Sequence, residues 1–146
     1  KRQAKRTVGL PRGYFITAQD AKIIEKLGQH GIAVERLVEP AKLTVEAFSV
    51  TDVKGAERLN QGHYPNTVKG DVTQKEMEFP AGTFFVSMAQ PLAPVAAYLL
   101  EPESDDGLVV WNFFDRYLAQ QWGRGPREHT VYKLYNKTHL VKETVH

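Results

Sequence analysis

The chain has 146 residues and a formal charge of +2, with 19 basic against 17 acidic side chains. That near-balance is a weak argument for any partner, and no basic stripe with interleaved aromatics, as a nucleic-acid reader needs, follows later in the chain. Cysteine is absent, which excludes disulfides, thiolate metal sites and a cysteine nucleophile. No stretch reaches the 18 or so apolar residues of a membrane span.

Residues 1–10 read as a linker or tail, basic at Lys1, Arg2, Lys5 and Arg6. The chain does not begin with Met and reads as a fragment or processed product. Tyr14-Phe15-Ile16 predicts a short strand. Thr17-Ala18-Gln19-Asp20 matches a capping box, in which a hydroxyl and an acid three residues on satisfy helix-end N–H groups. Ala21, Ile23, Ile24, Leu27 and Gly28 then form an apolar stripe at helical spacing. Gly31 supplies the stop, and His30 before it suits a C-cap, where a protonated ring complements the negative helix end. Ile32–Leu37 predicts a second strand. Strand, helix and strand within so short a span predict a βαβ unit with a parallel pair.

Leu43–Thr51 and Thr67–Phe79 carry β-branched residues in partial alternation and predict two long antiparallel strands joined by a loop at Asn60–Asn66. Pro80-Ala81-Gly82 is a turn. Thr83–Met88 is the most apolar strand candidate and is expected at the centre, covered on both faces. Gln90–Leu100 predicts a helix with proline in its first turn, ended by Pro102. A further helix is expected over 106–120 and a late strand over 130–135. The whole reads as an α/β fold: a mixed sheet with a βαβ unit, an antiparallel hairpin insertion and flanking helices. The domain is expected over 11–140, with 141–146 a tail.

Four patterns in the sequence bear on chemistry. The histidines (His30, His63, His129, His139, His146) show no spacing that brings two ligands to one zinc, apart from His139 and Glu143, which a helix would juxtapose. Of three serines, Ser87 follows an apolar strand but lacks the Gly-x-Ser-x-Gly elbow, and reads as a strand-end hydroxyl. Gly123-Arg-Gly125-Pro does not lead from a strand into a helix as a phosphate cradle would. The acids of Glu101-Pro-Glu103-Ser-Asp105-Asp106 could pair for acid–base work, but Ser104, Asp105 and Asp106 also stand where a helix begins, as caps. Glu101 and Glu103, held extended by Pro102, and Trp111 in the following aromatic run remain as possible interdomain or ligand contacts. No catalytic residue and no metal ligand is assigned.

Three segments carry a resemblance: Pro11–Ile16 with Glu25–Leu37, Phe79–Pro91, and Leu99–Phe114. In this order they resemble the C-terminal region of large bacterial zinc carboxypeptidase-like peptidases. The resemblance implies an accessory domain whose zinc lies in a separate catalytic domain of the parent, with no cofactor of its own. It further implies an amidotransferase-like α/β fold lacking the nucleophile, a periplasmic or secreted location, and the parent's catalytic domain and peptide substrate as partners. The expected function is non-catalytic support or gating of that catalytic domain. An independent peptide- or glycan-binding module is the alternative, and an α/β hydrolase using Ser87 or the acids is a third reading.

Overall fold

A computed structural model describes residues 10–55, 66–101 and 127–145. In chain order the elements are β1 (Gly13–Ile16), α1 (Ala21–Gln29), β2 (Glu35–Leu37), β3 (Ala41–Gly55) and β4 (Asn66–Phe79). There follow β5 (Phe84–Ser87), α2 (Ala93–Leu100), β6 (Arg127–Glu128), β7 (Val131–Leu134) and β8 (Lys142–Thr144). The strands form one sheet in the order β4-β3-β7-β1-β5-β2-β8, with β6 paired to β3.

Every strand pairing among the described residues is antiparallel. This overturns the expected α/β fold with its mixed, partly parallel sheet, and with it the amidotransferase-like architecture. The β1–α1–β2 crossover does exist, but its two strands are not neighbours. β5 lies between them, antiparallel to both. Direct pairing of β1 with β2 is replaced because β5 carries Phe85 and Val86, one for each face of the sheet, both buried. A buried, two-faced apolar strand gains most at such a central position.

Local signals explain α1. Asp20, rather than Thr17, is its N-cap, and its carboxylate accepts from the Lys22 N–H at 2.9 Å. Thr17 instead prolongs the β1–β7 ladder, its N–H and hydroxyl both donating to the Thr130 carbonyl. At the other end the Gly31 N–H bonds the Gly28 carbonyl and the Ile32 N–H bonds that of Leu27. Gly31 sits at φ +80°, a left-handed turn that glycine adopts without strain. His30 is the C-cap, with Nδ1 3.0 Å from the Lys26 carbonyl oxygen.

The sheet is strongly curled. β2 and β3 lie four strand spacings apart, about 19 Å in a flat sheet. Yet only Val38, Glu39 and Pro40 join them, a link that reaches roughly 14 Å. The curl also brings Phe79, at the end of β4, onto Phe15 of β1, with ring centroids 4.4 Å apart and stacked. The concave face therefore encloses one core, built from Phe15, Phe79, Phe85, Tyr132 and neighbouring aliphatics. The convex face carries the second core, where Tyr14, Ile16, Val86 and Val131 meet Ile23 and Leu27 of α1 and Ala96, Leu99 and Leu100 of α2.

β3 and β4 form the long hairpin expected, with a bulge at Thr51 where the register shifts. The last segment is not a tail: Lys142–Thr144 pair with β2 and complete that edge of the sheet. His139 and Glu143 share no helix, and Glu143 accepts from Arg36 at 2.8 Å. The expected helix at 106–120, the loops at 60–65 and 123–126, and the N-terminal linker up to residue 9 lie outside the described residues. No helix of the described residues is long and apolar enough to cross a membrane.

Candidate functional site

Where α2 ends, its last turn meets a polar row that crosses the convex face of the sheet. The register lines up Gln74 of β4, Glu46 of β3, Lys133 of β7 and Tyr14 of β1. Alternation puts all four on the helix-bearing face, since Phe15, Val45, Ala47 and Tyr132 point to the other. Glu101, the C-cap of α2, descends onto the row. Its Oε2 accepts from the Tyr14 hydroxyl at 2.7 Å, and its Oε1 accepts from the Lys133 ammonium at 2.8 Å. Lys133 also lies 3.4 Å from Oε1 of Glu46, whose side chain is only 2% exposed. Gln74 Nε2 stands 3.5 Å from the second Glu46 oxygen.

The protonation states follow from the geometry. Burial pushes the Tyr14 hydroxyl above its ordinary range, and the adjacent Glu101 charge and hydrogen bond push it further. Tyr14 is therefore a fixed donor. Burial opposes the charge on Lys133, but Glu101, then Tyr135 and Glu46, outweigh it and hold the ammonium above its ordinary range. A general acid or base works best with a pKa near the operating pH. Neither Tyr14 nor Lys133 is tuned that way. The arrangement clamps α2 to the middle of the sheet, and its chemistry is that of a buttress.

Of the residues singled out from sequence, Glu101 belongs to this clamp, while Glu103 and Trp111 lie outside the described residues. Ser87 Oγ accepts from the Ala89 N–H at 3.0 Å, as a strand-end hydroxyl does. His129 is 1% exposed, and its backbone N–H bonds the Phe48 carbonyl. Burial lowers its pKa to about 3. Among the described residues no three His, Asp or Glu side chains converge on a metal position. The described residues therefore do not fit a zinc ion.

Sequence reasoning missed Tyr14, Glu46 and Lys133. The one available signal was a charge between apolar neighbours, in Val45-Glu46-Ala47 and Tyr132-Lys133-Leu134. Such placement marks a buried charge that must find a partner.

No family model matches the chain, and no solved structure matches it. Curated proteins do. Carboxypeptidase 2 of Trichophyton tonsurans is 31% identical over 107 residues, covering 73% of this chain and 20% of that protein. Carboxypeptidase 2 of Trichophyton equinum matches to the same extent. Probable carboxypeptidase 2 of Arthroderma benhamiae is 29% identical over 108 residues, 74% of this chain and 20% of its own length. The chain is similar to one part of carboxypeptidase 2. It spans about a fifth of the length of the curated relatives it matches. These relatives are fungal, whereas the sequence resemblance pointed to bacterial peptidases.

Proposed function

We propose that this chain is a non-catalytic accessory region of an exported, zinc-dependent carboxypeptidase-like parent, supporting or gating a catalytic domain elsewhere in that parent. The observation that carries the reading is the restricted similarity: a carboxypeptidase 2 likeness over one fifth of the relatives' length. The clamp is consistent with it, because Tyr14 and Lys133 are held in single protonation states and bind Glu101 rather than open space. In this role the curled sheet is a rigid platform, and α2 with its clamped end is the part presented to the rest of the parent.

The reading is tested by assaying the 146-residue chain for release of C-terminal amino acids from peptides with zinc supplied, beside the full-length parent with and without this region. The chain alone is expected to show no chelator-sensitive turnover, and removal of the region is expected to lower the parent's activity or stability. Reproducible zinc-dependent cleavage by the chain alone would overturn the reading.

A further inference from the structure

The sequence holds four asparagines, Asn60, Asn66, Asn112 and Asn136, and only Asn136 has a hydroxyl residue two positions on. Asn136-Lys137-Thr138 is thus the single Asn-x-Ser/Thr triplet in the chain, and its middle residue is not proline. That triplet is the acceptor pattern for N-linked glycosylation, which requires surface-loop geometry in an exported protein. We propose that Asn136 is an N-glycan acceptor, used when the chain passes through a compartment that holds an oligosaccharyltransferase. The inference rests on the exported-parent reading above.

The fold meets the geometric requirement. Residues 136–139 are all exposed and lie in the loop between β7 and β8. The loop is pinned on both sides, by buried Leu134 at the end of β7 and by Leu140 packed on the concave core. A bulky group can therefore project from residue 136 without displacing either anchor. The Asn136 side chain makes no hydrogen bond among the described residues. The Thr138 hydroxyl donates to the Asn136 backbone carbonyl at 3.3 Å, which folds the triplet back on itself. This long, exposed bond is surrendered at little cost when a transferase draws the loop out.

In the transfer, the Asn136 side-chain nitrogen forms a bond to the anomeric carbon of an oligosaccharide carried on a lipid diphosphate. The bond from that carbon to the diphosphate oxygen breaks, the diphosphate leaves with the electron pair, and the amide nitrogen loses one proton. A glycan here also has a structural corollary. The β7–β8 loop would face solvent, so the parent's catalytic domain would dock away from it.

The test expresses the 146-residue chain behind a cleavable secretion leader in yeast and maps the secreted protein by peptide mass before and after enzymatic removal of N-glycans. The expected result is a glycan on Asn136, with its mass shift lost entirely in Asn136→Gln and Thr138→Ala and retained in Thr138→Ser. A secreted wild-type chain with residue 136 unmodified would overturn the proposal, as would a shift that persists in Asn136→Gln. The leader imposes the compartment, so export of the native parent is measured separately. A glycosylated routed chain beside a cytosolic native parent would defeat the export reading and leave the acceptor standing.

Discussion

The Tyr14 hydroxyl donates to Glu101 at 2.7 Å, joining the central strand to the end of α2 across 87 positions of sequence. Glu101 is in turn bonded to Lys133, which also neutralises the buried Glu46. The members of this clamp are not equivalent, and their removal separates them. Tyr14→Phe takes away one donor and leaves Glu101 its ammonium, so it is expected to cost about 1–2 kcal/mol. Lys133→Met leaves Glu46 buried without its cation and is expected to cost about 3–5 kcal/mol. Urea denaturation measures both; equal midpoints for the two variants would contradict the clamp.

Acid is expected to destabilise the fold through His129. Its folded pKa is about 3, below the unfolded value of 6.5. Between those values the unfolded chain binds the proton and the folded chain does not. Stability should therefore be full above about pH 6.5 and fall with decreasing pH, by up to about 1.4 kcal/mol per unit from this group. His129→Gln should show a flatter acid limb at the cost of some stability at neutral pH. Parallel pH–stability curves for the two proteins would assign the acid sensitivity elsewhere.

Two glycines three residues apart should respond with opposite signs. Gly28 lies within α1, and a Cβ there would meet nothing within 4 Å. Gly28→Ala is expected to stabilise by about 0.5–1 kcal/mol. Gly31 has φ +80°, and a Cβ there would lie 3.0 Å from a methyl of Leu92. Gly31→Ala is expected to destabilise by about 1 kcal/mol or more. Thermal melts of the two variants decide it.

The curl of the sheet is tested at Phe79. Its ring stacks on Phe15 at 4.4 Å and meets Tyr132 edge-on at 5.5 Å, contacts that a flat sheet would not allow. Phe79→Ala should cost about 3–5 kcal/mol. In a flat sheet the same side chain would sit near an edge and its loss would be mild.

Local features were legible in the sequence because their causes are local. The helix over residues 21–29, its glycine stop and the His30 cap all follow from neighbours within a turn or two. The long hairpin was legible from alternation. The parallel pair was misread because the strand that separates β1 from β2 is written about 50 residues further on, and a βαβ pattern does not reveal an inserted partner. The clamp was half legible. Glu101 drew attention beside a proline, but its partners Tyr14 and Lys133 come from two strands far from it in sequence, β1 and β7, and only the sheet order aligns them.

The position of β1 has a consequence for how the chain is made. It precedes the other described strands in the chain, yet its two neighbours are β5 and β7, and β7 does not arrive until residues 131–134. Synthesis from N- to C-terminus would hold this innermost strand half-satisfied until residues 131–134 had emerged. Pairings this distant in sequence are slow to close and leave apolar edges open meanwhile. Translation stopped before residue 127 would yield not a smaller domain but an open sheet with its centre exposed, a substrate for chaperones and proteases.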